Sequence, residues 1–577
     1  MSSSREIRSR TLTGIAAAQG LAAGPAAVWR EQAVTIPRGT GRQPATETAR
    51  LTAARAAARN EIRALRAKVA AEAGQAEAAI FDAHEMFIDD AALLRKAQQA
   101  IDRGVNAEAA WADAIEFFAS QLEQLPDPTL QARAADVRDV GGRVLDHLVG
   151  RGAAGLRLDE PSVVISRDLA PSQIASLPVA RVLAFCTAEG GPTSHTAILA
   201  KAWGKPAVVG LGTAVLELRD GTAVLVDGTR GEIVIDPDEQ TTREFSQRRG
   251  AAERQAATER GAAGDPAITR DHRRVEVVAN IGAVEEAAVA LQHGAEGIGL
   301  LRTEFLYLSR RTAPTEDEHL AAYEAILRVM ASRPVIARTM DIGGDKPVPY
   351  LDLPKEANPF LGWRAIRISL QRPELFAVQL RALLRASPGH DLRIMFPMIA
   401  SIDELRAAKA ELERARRAVT SAGHPVAARL QVGMMVEVPS AAVLADQFAR
   451  ETDFFSIGTN DLTQYTMAAD RTNERVAHLG DACHPAVLRQ IGSVVQAAHR
   501  VGPWVGVCGE LAGDPDAVPL LLGLDLDELS MAPAAIPGVK AIIRRWSGAG
   551  AKRLVAKALD LDSASAVRNL VRATAPA

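Results

Sequence analysis

Apolar and polar positions alternate with different periods along the chain and divide it into three stretches. From about Thr46 to Leu148, apolar residues recur at helical spacing, as at Ile62, Leu65 and Val69 and again at Ile80, Phe81, Met86 and Phe87. Ala, Leu, Arg and Glu dominate that stretch, and Gly74, Gly104, Pro126 and Pro128 interrupt it, which predicts four helices and no strand. On either side, residues 11–37 and 155–236 carry short β-branched runs between Gly and Pro turns, such as Val163-Val164-Ile165 and Ala223-Val224-Leu225-Val226. The simplest account is an α/β domain, residues 1–45 and 149–236, with a helical bundle, residues 46–148, inserted into it. Residues 237–265 alternate charges at helical spacing with little apolar content, and predict a solvated linker helix.

From Val275 onward, strand-like runs alternate with amphipathic helical stretches. The strand candidates are Val275–Ile281, Gly297–Leu301, Val335–Met340, Leu392–Phe396, Gln431–Val438, Phe454–Ile457, Trp504–Cys508 and Glu528–Met531. Eight such units, each followed by a helix, match a (β/α)8 barrel over residues 266–577. The fold class is therefore α/β multidomain. A barrel of this kind keeps its functional side chains at the C-terminal ends of its strands. Those ends carry Asn280, Arg302, Arg338, Glu437, Asn460, Asp461 and Cys508.

Composition narrows the function classes. The 577 residues hold 67 Lys+Arg against 70 Asp+Glu, a net charge of −3. That balance argues against a nucleic-acid binder, which needs a basic stripe. Cys186, Cys483 and Cys508 form no CxxC pair and no disulfide framework. No run of about 18 apolar residues occurs and the start leads into no apolar segment, so a soluble, cytoplasmic protein without membrane insertion is expected. No GxxxxGK[ST] loop is present, so a Walker-type nucleotide site is not expected.

Two groups of residues carry candidate chemistry. In Gly190-Gly191-Pro192-Thr193-Ser194-His195-Thr196, a strand leads through a glycine-rich loop into an apolar helix. This places His195 at a helix N-terminus, with Thr193 or Ser194 as cap. Free N–H groups there attract an anion such as phosphate, and the dipole should lower the imidazole pKa. In the barrel, Arg302 and Arg338 each end a strand, and arginine suits bidentate phosphate or carboxylate recognition. Glu437 and Asp461 offer two carboxylates, a set that suits Mg²⁺ completed by water and substrate oxygens.

Together these residues resemble phosphoenolpyruvate–protein phosphotransferase, enzyme I of the bacterial sugar phosphotransferase system. The resemblance runs from Gly14-Ile15-Ala16 and Gly20 to Gly24, through Ala134 to Asp139 and the histidine loop, to Gly299-Leu300-Leu301-Arg302-Thr303-Glu304-Phe305. It continues in Asp341-Ile342-Gly343-Gly344-Asp345-Lys346, Asn358 to Arg364, Asp453 to Arg471 and Cys508-Gly509-Glu510. It implies that His195 takes the phosphoryl group of phosphoenolpyruvate on Nε2 and passes it to a histidine of the phosphocarrier protein HPr, with release of pyruvate. It further implies that Arg302, Arg338 and Arg471 hold phosphate and carboxylate, that Asn460 contacts phosphate, and that Glu437 and Asp461 bind Mg²⁺. Cys508 would protonate the enolate carbon, with Glu510 nearby favouring the thiol over the thiolate. A homodimer through the barrel is implied as well.

Three positions depart from the family's usual pattern: Pro192 and Lys201 stand where arginine is expected, and Ala170 where threonine is. An ATP-linked relative such as phosphoenolpyruvate synthase or pyruvate phosphate dikinase would need a nucleotide domain, which a helical insert of this size does not supply. A regulatory protein with a degenerate site would have lost His195, Arg338, Asp461 or Cys508, and all four stand. Within the insert, Asp82, Glu85, Asp89 and Asp90 beside Met86 and Phe87 predict an acidic rim that docks a basic carrier.

Overall fold

The structure, a computed structural model, describes residues 9–576 apart from 31–35, 40, 42, 73–77, 79, 126–127, 151–155, 157, 192–193, 309, 311, 345–347, 349, 352, 355, 472 and 474. The chain divides into two compact units, Met1–Ala252 and Glu253–Ala577.

The first unit is built on an eight-stranded sheet. Its strands are β1 (Arg10–Thr13), β2 (Ile15–Ala18), β3 (Leu21–Val28), β4 (Ser162–Ser166), β5 (Val182–Thr187), β6 (Ala207–Val209), β7 (Ala223–Asp227) and β8 (Glu232–Ile235), in the order β1-β8-β7-β3-β4-β5-β6-β2. β3 and β4 pair in parallel, Ala26 opposite Val163 and Val28 opposite Ile165. A parallel pair needs a crossover, and here the whole helical segment serves as that crossover. Val163 and Ile165 face one core with Ala184 and Cys186. Val164 points the other way, into a core shared with Phe185 and Val209 of the sheet and Ile62, Phe81 and Trp111 of the helices.

The insert contains α1 (Pro44–Glu72), α2 (Ile80–Ile88), α3 (Ala91–Asp102), α4 (Ala107–Glu123) and α5 (Pro128–Leu148), and no strand among the described residues. Five helices thus stand among the described residues where the periodicity predicts four. The extra break falls at Asp90, whose extended backbone and side chain start a new helix: its Oδ1 accepts from Ala92 N at 2.8 Å and Leu93 N at 2.9 Å. α4 and α5 pack closely. The fully buried Trp111 donates through Nε1 to Gly141 O at 3.0 Å, and a Cβ on Gly141 would come within 2.6 Å of Ile115.

Between β4 and β5 lies α6 (Pro171–Ser176), between β5 and β6 lies α7 (His195–Ala202), and α8 (Glu239–Gly261) follows β8. Of the residues of α8 only Phe245 is buried, as its charge pattern predicts, and the boundary between the two units lies inside it.

The second unit is a closed parallel barrel: β9 (Glu276–Ile281), β10 (Ile298–Arg302), β11 (Val335–Arg338), β12 (Leu392–Phe396), β13 (Val432–Val436), β14 (Phe454–Ile457), β15 (Trp504–Val507) and β16 (Glu528–Met531). All eight strands lie within two residues of the bounds read from the sequence. Leu300, Ile336, Met395, Met435, Phe454 and Cys508 fill the barrel interior, and Trp504 stacks on Phe454 with ring centroids 4.7 Å apart. Among the described residues no helix is long and apolar enough to cross a membrane.

Candidate active site

The first unit presents His195. β5 delivers the chain to the glycine loop, and Ser194 caps α7 by accepting from Ala197 N at 3.3 Å. Thr193, the other expected cap, and Pro192 lie outside the described residues. His195 borders a cavity of about 490 Å³, together with Asp136, Arg138 and Asp139 of α5 and Asp168 and Ala170 of the β4–α6 loop. His195 is exposed as a residue, yet the atoms packed around it desolvate the imidazole and push its pKa below the ordinary histidine value. The negative charges of Asp136 and Asp168 pull the other way. The direction is the one expected of a helix N-terminus, but the largest cause is burial. A neutral ring leaves a nitrogen lone pair free to attack. Ala170 N donates to Gln173 Oε1 at 2.9 Å in the first turn of α6. Lys201 is exposed in the last turn of α7.

The second unit holds a pocket of about 270 Å³ at the C-terminal mouth of the barrel. Arg302, Arg338, Glu437, Asn460, Asp461, Arg471 and Cys508 all line it, whereas Asn280, the other strand-end residue singled out from the sequence, does not. Three residues not singled out as site residues join them. Arg364, buried at the same mouth, stands 3.0 Å from Asp341 Oδ1 and 3.4 Å from Asp461 Oδ2. Arg338 is held at 3.0 Å by Glu304 and at 2.9 Å by Asp341. Arg471 meets Asp461 at 3.2 Å. Arg302 makes no ion pair among the described residues and faces the pocket.

Glu437 is buried, and its Oε1 accepts from Met398 N at 2.6 Å. Burial, then Asp461 and Asp341, push its pKa up to about 8, with Arg364 and Arg338 opposing. A cation beside it would reverse that cost. Space is kept for this carboxylate: a Cβ on Gly458 would come within 2.8 Å of Glu437 Oε2. Among the described residues no group of three or more His, Cys, Asp or Glu is placed to hold a metal ion by itself. Glu437 and Asp461 both line the pocket, and two carboxylates leave the remaining positions of an octahedral cation to water and substrate oxygens.

Cys508 is buried, and its thiol reaches Ile457 O at 3.7 Å. Burial pushes its pKa up to about 11; Ser456, Arg338 and Arg302 oppose this, and Glu437 adds to it. Burial is the main cause that favours the thiol, and the acidic residue that adds to it is Glu437 rather than the expected Glu510. Glu510 instead donates its backbone N–H to Asn460 Oδ1 at 3.0 Å, tying the loop after β15 to that after β14. Asn280 fixes the same loop by donating to Cys508 O at 2.9 Å.

Three family models match the chain: the N-terminal domain of PEP-utilising enzymes over residues 13–133, their mobile domain over 158–231 and their PEP-binding domain over 256–547. A phosphoenolpyruvate-protein phosphotransferase of Geobacillus stearothermophilus is 47% identical over 98% of this chain and 99% of its own. The chain belongs to the phosphoenolpyruvate-protein phosphotransferase family. The Bacillus subtilis (strain 168) relative of the same name is 43% identical over 98% of this chain and 99% of its own. A solution structure of Enzyme I is 37% identical, covering 42% of this chain and 99% of its own with a TM-score of 0.37. As a member of this family the chain is a transferase.

One expectation about this family member changes. The carboxylates of α2 do not form a free acidic rim. Asp82 pairs with Arg66 at 2.7 Å, Glu85 with Arg63 at 3.0 Å, and Asp89 with Arg55 and Arg59 at 2.6 and 3.1 Å. Asp90 is used as a helix cap. The arginines recur every three or four residues on α1, so that helix neutralises its neighbour. Met86 stays 74% exposed on that helix.

Proposed function

We propose that the chain takes the phosphoryl group of phosphoenolpyruvate onto Nε2 of His195 and passes it to a histidine of the carrier HPr, releasing pyruvate, as the first step of sugar uptake by the phosphotransferase system. The observation that carries this is the barrel mouth, where four arginines line one pocket with the buried carboxylates of Glu437 and Asp461 and the thiol of Cys508. Arg302, Arg338, Arg364 and Arg471 bind the phosphate and carboxylate of the substrate, and Asn460 contacts the phosphate. Glu437 and Asp461 would hold Mg²⁺, whose charge would offset that on the phosphoryl and enolate oxygens. His195 attacks phosphorus; the Nε2–P bond forms as the bond to the enol oxygen breaks. The enolate carbon then takes the Cys508 proton and becomes pyruvate, and solvent restores the thiol. In this reading residues 1–45 and 149–236 form the phosphohistidine domain, 46–148 the carrier-docking insert, 237–265 the linker and 266–577 the substrate barrel. The homodimer through the barrel rests on the family resemblance alone.

The test is to mix the chain with phosphoenolpyruvate and Mg²⁺, with and without purified HPr, and to follow pyruvate. A burst of about one pyruvate per chain without carrier, and continuous release with it, is expected. Pyruvate formation that requires an added adenine nucleotide would refute the reading in favour of an ATP-linked reaction.

A further inference from the structure

A buried chain of hydrogen bonds joins the two strand ends that carry Arg302 and Arg338. Its centre is Gln379, fully buried in the helix Pro373–Ala386. Gln379 Nε2 donates to Thr303 Oγ1 at 3.0 Å and to Tyr323 OH at 3.2 Å, and Oε1 accepts from Met340 N at 2.9 Å. Thr303 directly follows Arg302 at the end of β10, and Met340 lies just past Arg338 at the end of β11. Thr303 Oγ1 in turn donates to Arg338 O at 2.9 Å.

The direction of each bond to Gln379 is fixed. A backbone N–H can only donate, so the Gln379 oxygen must face Met340 and the NH₂ must face the two hydroxyls. Thr303 then gives its hydrogen to the Arg338 carbonyl. Tyr323 OH also lies 3.0 Å from His319 Nδ1, and burial keeps that ring neutral by pushing its pKa down to about 4. Both amide hydrogens and the amide oxygen are satisfied. A half-satisfied network at this depth would be worse than an apolar one, so a methylene-rich side chain would be the ordinary choice if packing alone mattered.

We infer that Gln379 is a positioning residue of the phosphoenolpyruvate pocket, its amide setting the separation of the β10 end that carries Arg302 and the β11 end that carries Arg338. The inference rests on the proposed reading of that pocket. Gln379 touches no pocket atom, so it acts through Thr303 and Met340 on where two guanidinium groups stand. Placement errors well under an ångström weaken bidentate recognition of a phosphate.

The experiment uses the full chain and three variants, Gln379→Glu, Gln379→Met and Tyr323→Phe. Calorimetry with phosphoenolpyruvate and Mg²⁺ measures binding directly, and single-turnover labelling of His195 separates binding from chemistry. Gln379→Glu keeps shape and acceptor but loses both donors, and should weaken binding about ten-fold or more. Gln379→Met, which loses every bond, should weaken it at least as much. Tyr323→Phe leaves the Gln379 bonds to Thr303 and Met340 intact, and should change binding by less than about two-fold even where it lowers thermal stability. In the Gln379 variants the labelling rate at saturating substrate should move less than the affinity does. Folded Gln379 variants that bind like the wild type would overturn the inference, as would a Tyr323→Phe loss equal to theirs, which would mark a general softening of the core. If the Gln379 variants do not fold, Thr303→Val decides: it cuts the link at its far end, and unchanged binding would overturn the inference. A wild-type chain that binds no phosphoenolpyruvate would instead refute the reading of the pocket.

Discussion

Cys186, Cys483 and Cys508 are all buried free cysteines, and of the three Cys508 lines the barrel-mouth pocket. Burial alone raises the Cys186 thiol, and burial dominates for Cys483; both fit the usual role of a small apolar residue. Cys508 instead lines the pocket with Arg302, Arg338 and Glu437, and its thiol stays protonated. Phosphoryl transfer needs no proton on carbon, so the two steps should separate. Cys508→Ala should still label His195 from phosphoenolpyruvate, but should release enolpyruvate that ketonises in solution, with turnover slowed. In deuterated water with substrate isotopically labelled at C3, the wild type should give chiral pyruvate and the variant racemic pyruvate. Chiral product from Cys508→Ala would remove the thiol from the mechanism. At this scale the sequence was informative where a functional residue ends a strand, as Arg302, Arg338 and Glu437 do. It was silent on Arg364, Asp341 and Glu304 as site residues. Their roles depend on ion pairs with residues far along the chain, and such pairs have no periodicity to read.

The strands of the barrel were legible because each is a short apolar run bounded by turns and followed by a helix of 3.6-residue period. The helical insert was legible in type but not in count. Its extra break depends on one aspartate choosing to cap, and an Asp-Asp pair in a helical pattern reads equally well as surface charge. The acidic rim failed for a related reason. The arginines that neutralise α2 lie on α1, and their pairing is tertiary. One element carries a polar group that the chemistry does not use. On β16, Glu528 is buried in register with Glu276 of β9, and among the described residues neither of its carboxylate oxygens has a hydrogen-bond partner. Burial, then Glu276, push its pKa from 4.5 up to about 8, with Arg393 opposing. Between those values the folded chain keeps a proton that the unfolded chain has released. Its contribution to stability is therefore complete below about pH 4.5 and falls as pH rises to about 8, by at most about 1.4 kcal/mol per pH unit. Denaturant unfolding of the barrel from pH 5 to 8 should show that slope, and Glu528→Gln should flatten it. Parallel pH profiles for the two proteins would show that Glu528 titrates normally.

At the scale of the molecule, His195 belongs to the unit 1–252 and the substrate pocket to the unit 253–577. In-line transfer needs the reacting atoms about 3–3.5 Å apart. The same imidazole must also reach a carrier docked on the insert, so the account requires the histidine domain to visit two positions. The boundary between the units lies within α8, which buries only Phe245 and suits a linking role. A verified cross-link between the two units should block one half-reaction and spare the other. If both half-reactions survive the lock, the swinging account is wrong.

The central claim, that His195 carries the phosphoryl group, has a direct measurement. The wild type and His195→Ala are each incubated with phosphoenolpyruvate labelled at phosphorus and with Mg²⁺, quenched in base, digested and sequenced by mass spectrometry. The account predicts a single acid-labile phosphohistidine at His195 in the wild type. It predicts no protein label in His195→Ala, while calorimetry shows that variant still binding phosphoenolpyruvate. Full labelling of His195→Ala, or a wild-type label on any other residue, would contradict it.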